Sequence, residues 1–199
     1  TIYFSDENKK FIQNKYNDSN WEILSLEEIN EKFSLENEFD GVVWLRQTFD
    51  YQKNQIVDLE FDIGDVNDFF DIFINGKFVN RRKGYGRFES RFIIPDNILN
   101  HGINTIAIRV ADMYGDGGLP KDEKRGIYHN NKKIFSFFDN WKVRFSSWKT
   151  NNRLYNLEEG LDEIVFPSKL RMPREGSKPT MLYNSLISPI SPYSVKGFI

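Results

Sequence analysis

The sequence predicts a mainly β protein, an antiparallel β-sandwich with a few short helices, and three observations carry that prediction. Asn75-Gly76 lies between two apolar, β-prone runs, and Asn and Gly best tolerate the positive φ that both positions of a two-residue type I′ hairpin require. Val57-Asp58-Leu59-Glu60-Phe61-Asp62-Ile63 alternates strictly between apolar and acidic residues, the period of a strand with one face buried and one wet. Strand-like segments then recur at short spacing with turn residues between them, which argues for an antiparallel sandwich over a parallel α/β sheet. An aromatic content of 16 %, with 18 Phe, 9 Tyr and 4 Trp, suits pleated, half-buried surfaces.

In chain order, residues 4–16 read as a short amphipathic helix with Ser5 as N-cap and Ile12 and Tyr16 on one face. Ser25-Leu26-Glu27-Glu28 is a capping box for a second helix, with Leu24 and Ile29 as its staple and Phe33 continuing the apolar stripe. Both helices are expected to cover an end or edge of the sandwich. Asp40-Gly41 turns the chain into a strand over 42–49 that carries Trp44, read as a core residue, and Arg46. Phe69–Ile74 is more uniformly apolar and is expected to be covered on both faces. Arg81-Arg82-Lys83 opens a loop with Gly84, Tyr85 and Gly86. A strand over 90–94 is closed by Pro95, 97–99 makes one helical turn, and His101-Gly102 reverses the chain into a strand over 104–111. There Ile106, Ile108 and Val110 face one way, and Thr105, Ala107 and Arg109 the other. A glycine loop at 115–118 and a polar insertion at 121–133 precede a second expected hairpin, 134–138 with 141–145, around Asp139-Asn140.

The reading divides the chain into a helical lead-in (1–19), the sandwich (20–145), a Pro-punctuated polar linker (146–179) and a last segment (180–199) with a short helix and an opening strand. The start without Met and the strand that stops at Ile199 are expected in a piece of a longer protein, with another chain or a symmetry-related copy covering that strand.

Charge and composition exclude several classes. With 27 basic against 29 acidic residues, there is no electrostatic footprint for nucleic acid. No apolar run approaches the ~20 residues that span a bilayer. Without cysteine there is no disulfide framework and no thiolate chemistry. Neither His101, in an Asn-His-Gly turn, nor His129, beside Asn130-Asn131, has a Gly-x-Ser-x-Gly elbow to serve as base for. Asp112, Asp116 and the 115–118 backbone offer oxygens of the kind Ca²⁺ takes, but at no defined spacing, and a wide glycine turn is the preferred reading. No cofactor is expected. Arg81-Arg82-Lys83 has the chemistry to pair with an anionic sugar, although a solvated strand end that blunts edge pairing explains it more simply. Tyr85, Arg87, Tyr114 and Trp148 are the candidate sugar-binding residues, offering stacking and hydrogen-bonding surface at a loop rim.

Gly41-Val42-Val43-Trp44-Leu45-Arg46-Gln47-Thr48-Phe49, with Ile63-Gly64-Asp65-Val66-Asn67-Asp68, Ile74-Asn75-Gly76, Arg91-Phe92-Ile93-Ile94-Pro95 and the segment from Gly102 to Val110, resembles the galactose-binding-like jelly-roll domain that accompanies many carbohydrate-active enzymes. Pro179-Thr180-Met181-Leu182-Tyr183-Asn184-Ser185-Leu186-Ile187-Ser188-Pro189, followed by Pro192-Tyr193-Ser194-Val195-Lys196-Gly197-Phe198-Ile199, resembles the sialate O-acetylesterase family, in which such a sandwich is inserted into an SGNH-type esterase domain. The resemblance implies that 180–199 begins the second half of that α/β catalytic domain. Its nucleophilic serine would lie upstream, and its catalytic Asp and His downstream, so no catalytic residue is assigned here. It further implies a secreted or periplasmic parent that hydrolyses O-acetyl esters on sialic acid or a related sugar through a serine acyl-enzyme. The implied partners are that acetylated sugar or sialoglycan and the rest of the esterase domain. The alternative is an autonomous carbohydrate-binding module or a glycoside-hydrolase accessory sandwich, which leaves Leu182-Tyr183-Asn184 unexplained.

Overall fold

Asn75 and Gly76 adopt φ of 51° and 79°, the left-handed pair that a type I′ turn requires, and the strands on either side close on them in register. The computed structural model describes residues 6–32, 40–52, 58–66, 69–82, 90–112, 119, 122–137, 140–150, 153–156 and 163–164. All of them belong to a compact unit spanning Tyr3–Ile164. The strands are β1 (Glu22–Leu24), β2 (Asp40–Tyr51), β3 (Glu60–Asp62), β4 (Phe69–Ile74), β5 (Lys77–Arg82), β6 (Arg91–Ile93), β7 (Gly102–Asp112), β8 (Gly126–His129), β9 (Lys132–Ser136), β10 (Trp141–Thr150), β11 (Arg153–Asn156) and β12 (Glu163–Ile164). An α-helix, α1 (Leu26–Lys32), and two 3₁₀ segments, Asp6–Ile12 and Asp96–Ile98, complete the fold.

Two antiparallel sheets form the sandwich, as the sequence predicts. The larger runs β12-β11-β10-β2-β7-β4-β5, with β1 also on β10, and the smaller runs β6-β3-β8-β9. The spine is the β2–β7 pairing, unbroken from Gly41 opposite Asp112 to Tyr51 opposite Gly102. Val43, Leu45, Ile72, Ile108 and Val110 from the larger sheet meet Leu59, Phe61 and Ile127 from the smaller in one buried core. The alternation at 57–63 places Leu59, Phe61 and Ile63 at zero exposure. Asp62 departs from its expected wet face and is buried, its carboxylate accepting the Gly64 N–H at 2.9 Å.

The capping box forms as expected. The Ser25 N–H donates to Glu28 Oε2 at 2.7 Å and the Glu28 N–H to Ser25 Oγ at 3.2 Å, while Leu24 and Ile29 both enter the main core. The first helical segment differs from expectation. It is a 3₁₀ helix over Asp6–Ile12, and it lies on the outer face of the larger sheet, where Phe11 joins Trp21, Trp44, Phe73 and Ala107 in a second cluster with Ile12 and Tyr16 against it. Ser5 and Phe33 lie outside the described residues. Trp44 is core, as predicted, but of this second layer.

Three further expectations are corrected. The second hairpin does not form, because β9 pairs with β8 in the smaller sheet while β10 pairs with β1, β2 and β11 in the larger. The true hairpin turns on Asn130-Asn131, with φ of 48° and 61°, inside the stretch whose polarity suggested an insertion. Arg81 and Arg82 end strand β5 and do not open a loop. Strand structure also continues past Phe145, through the end of β10 into β11 and β12. The expected elements of 180–199, the glycines at 115–118 and Lys83 lie outside the described residues.

Asn75 does more than turn the chain. Its Nδ2 donates to the Ile98 carbonyl and to Asn104 Oδ1, both at 2.7 Å, and its Oδ1 accepts the Thr105 N–H at 3.0 Å. Asn104 in turn holds the Asn100 N–H and carbonyl and the Gly102 carbonyl. Asn75→Ala is therefore expected to cost about 2–4 kcal/mol, from three lost side-chain bonds and a non-Gly residue without local support at positive φ. Asn75→Gly should recover the backbone part alone. Chemical denaturation of both variants checks the order.

Candidate functional site

Among the described residues, the outer face of the larger sheet exposes a concave, chemically mixed surface. Register alternation sends Trp44, Arg46 and Thr48 of β2 to that face, opposite Arg144 and Lys142 of β10 and Arg109, Ala107 and Thr105 of β7. The 3₁₀ segment covers the middle of this face, and the chain that follows it, Gln13 to Asp18, runs down over the sheet.

Between them lies a cleft of about 320 Å³, lined by Asn14, Tyr16, Asp18, Arg46, Gln47, Thr48, Thr105, Asn140 and Lys142. Arg46 is its fastening. Only 2 % exposed, it donates through Nε to Asp18 Oδ2 at 2.8 Å, through one terminal nitrogen to the Phe11 carbonyl and through the other to the Gln13 carbonyl at 3.2 Å. Its guanidinium also lies 5.6 Å from the Tyr16 ring and 5.9 Å from that of Trp21, a stacking arrangement that suits a planar cation. The second Asp18 oxygen accepts Lys142 Nζ at 2.6 Å, with the lysine side chain 38 % exposed.

Burial pushes the Asp18 pKa up, but hydrogen bonds and charge from Lys142 and Arg46 outweigh it and hold the carboxyl below its ordinary range. A carboxylate whose folded pKa is depressed stabilises the fold above its unfolded pKa of about 4 and loses that contribution as pH falls through the lower, folded value. Asp18→Asn should thus melt below the native protein at neutral pH and lose less of its melting temperature on acidification. Parallel loss in both proteins would contradict the assignment.

The lining is mostly polar and capable of hydrogen bonding. Tyr16, Thr48, Thr105, Asn14, Asn140 and Lys142 bring an aromatic ring, two hydroxyls, two amides and an ammonium to that lining. Few precisely placed polar groups in a concave site of this size are what small-ligand recognition uses.

The sequence-predicted residues fall elsewhere. Trp148, 40 % exposed, pairs with Gly41 after the bulge between Phe145 and Ser147. Alternation puts it on the core-facing side of the sheet, at the end opposite the cleft. Tyr85, Arg87 and Tyr114 lie outside the described residues. Trp148 is not among the residues that line the cleft.

Arg81 is committed within the sheet, ion-paired to Asp71, whose other oxygen takes Arg109 at 2.9 Å. Arg82 bonds the Val66 carbonyl. The preferred strand-end reading of these arginines is thus closer than a sugar patch. His101 precedes β7 of the larger sheet, and His129 closes β8 of the smaller with Nε2 at 2.9 Å from Asn130 Nδ2. Among the described residues no group of three or more His, Asp or Glu side chains is placed to hold a metal, and no helix is long and apolar enough to cross a membrane. The sequence signal for the cleft was Arg46, a cation inside an apolar strand; its partner, Asp18, carries no local signal at all.

A family model described as the beta-galactosidase second all-beta domain matches residues 5–116. The match runs from the 3₁₀ segment to the end of β7 and includes Tyr16, Asp18, Arg46, Thr48 and Thr105, but not Asn140 or Lys142. No curated protein matches the chain.

Proposed function

We propose that this chain, which belongs to the beta-galactosidase second all-beta domain family, is a non-catalytic sandwich that holds a saccharide for a carbohydrate-active enzyme. The observation that carries the reading is the cleft between the 3₁₀ segment and the larger sheet, where an aromatic ring, two hydroxyls, two amides and an ammonium converge. A pyranose presents an apolar face and a rim of hydroxyls, and that lining complements both. The family supports a carbohydrate-active setting for the sandwich.

The test is calorimetric titration of the chain with galacto-oligosaccharides. Tyr16→Ala and Thr105→Val should each weaken binding by about tenfold, while Trp148→Ala leaves it unchanged. Binding lost with Trp148 and kept without Tyr16 would move the site to the other end of the sheet, where Trp148 pairs with Gly41.

A second reading makes the sandwich an insert in an esterase resembling sialate O-acetylesterase, with 180–199 as the start of the returning catalytic half. The Pro179–Pro189 motif favours it. On this reading the chain alone hydrolyses no acetyl ester. Turnover by these 199 residues, abolished by Ser185→Ala, would overturn it.

A further inference from the structure

The charges in the cleft do not cancel. Asp18 is one carboxylate shared by two cations, Arg46 and Lys142, which are register partners on β2 and β10. Arg46 is spent inward, on Asp18 and the Phe11 and Gln13 carbonyls. Lys142 is not. Among the described residues its ammonium makes one hydrogen bond, to Asp18, and the side chain is more than one-third exposed at the cleft wall. Two N–H directions and a net positive charge are therefore offered at that end.

The opposite end carries the other sign. Asp50 is two residues beyond Thr48 on the same face of β2, opposite the exposed Ile103, and its carboxylate accepts only from Gln52 in the described structure. A bound molecule thus meets positive charge by Lys142 and negative charge past Thr48 and Thr105. A neutral sugar gains nothing from this polarity. An anionic one is oriented by it, with its charged group on Lys142 and its hydroxyls on the threonines.

We infer that the ligand of this cleft is an anionic saccharide, a pyranose carrying a carboxylate or sulfate, whose charge is received by Lys142. The inference rests on the saccharide-holding reading above. A charge-assisted hydrogen bond is about twice as strong as a neutral one and geometrically selective, and a partly exposed site keeps the interaction sensitive to salt.

The experiment titrates the full chain with three probes: an oligogalacturonate, a sulfated galacto-oligosaccharide and a neutral galacto-oligosaccharide. The anionic probes should bind more tightly than the neutral one, and the tighter of the two names the charged group. Lys142→Gln should weaken the anionic probe by about ten- to a hundredfold and the neutral one, which loses a single uncharged-partner hydrogen bond, by only about two- to fivefold. Lys142→Arg should restore most of the loss, which separates charge from folding, and added salt should mimic the glutamine variant. Equal affinity for neutral and anionic probes, or an anionic affinity indifferent to Lys142→Gln, overturns the inference and leaves the saccharide reading standing. Failure of all three probes to bind overturns the reading itself, and the inference with it.

Discussion

Arg46→Ala is expected to cost the sandwich about 3–5 kcal/mol, the range for breaking a buried ion pair from one side, and to remove saccharide binding altogether. The side chain leaves three acceptors behind: Asp18 Oδ2, the Phe11 carbonyl and the Gln13 carbonyl. It also vacates the space beneath Tyr16 and Trp21, whose rings lie edge-on to each other and to Phe11. Both losses fall on the same contact, the one that fastens the N-terminal segment to the outer face of the sheet. Against a total stability of about 5–15 kcal/mol the change is a fifth or more. Arg46→Lys keeps the charge opposite Asp18 but has no planar fork to reach two carbonyls as well, so it should fall between the native protein and the alanine variant. Urea denaturation gives the energies, and a loss below about 1 kcal/mol for Arg46→Ala would mean that packing of Phe11 on Trp44 holds the segment by itself.

What the sequence made legible was local. Asn75-Gly76 forms its turn because two adjacent residues contain the whole requirement, positive φ at both. Ser25 and Glu28 satisfy each other across one helical turn. Leu59, Phe61 and Ile63 need only the period of a strand. Pairing across the sheets was not local, and there the reading failed. Trp141 follows Phe137 closely, yet the two strands separate at Asn140, φ 62°, and join different sheets, because β10 finds its partner in β2, about a hundred residues back. Gly126-Ile127-Tyr128-His129 was too short and too polar to read as strand until β3 and β9 supplied its neighbours. The cleft is the extreme case. Its walls come from four distant places in the chain, Asn14, Tyr16 and Asp18, then Arg46 to Thr48, then Thr105, then Asn140 and Lys142, and no short window of sequence contains two of those places. The family resemblance behaved the same way: its β-sandwich portion agrees with the match over 5–116, while the motif that pointed to an esterase lies beyond that match.

Gly126→Ala is the second large effect. Gly126 sits buried in β8 between Asp62 of β3 and Ser136 of β9, and an added Cβ would run into the Phe135 carbonyl oxygen and come within 3.1 Å of Lys133 Cδ. The lysine chain can swing away. The carbonyl cannot, because the register steps from Tyr128–Lys133 to Ile127–Phe135 at this point, leaving Ile134 as the extra, exposed residue of a bulge and Phe135 packed against the core. Relief therefore requires β8 and β9 to part. Moving β8 also drags Arg125, whose Nε and Nη2 hold the Ile63 and Asp65 carbonyls at 2.6 and 2.8 Å, and whose burial, outweighing the nearby aspartates, pushes its pKa down to about 10. A cation so deeply desolvated tolerates no loosening of its acceptors. The expected cost is about 3 kcal/mol, the upper end of ordinary overpacking. Gly102→Ala is the control, since Gly102 also needs a special backbone, φ +87°, but its Cβ would meet no atom within 4 Å. It should lose only about 1–2 kcal/mol, the strain of the left-handed region. If the two variants lose the same amount in urea, the bulge at Ile134 yields more easily than its place in the ladder implies, and the smaller sheet is held by its apolar face and not by its register.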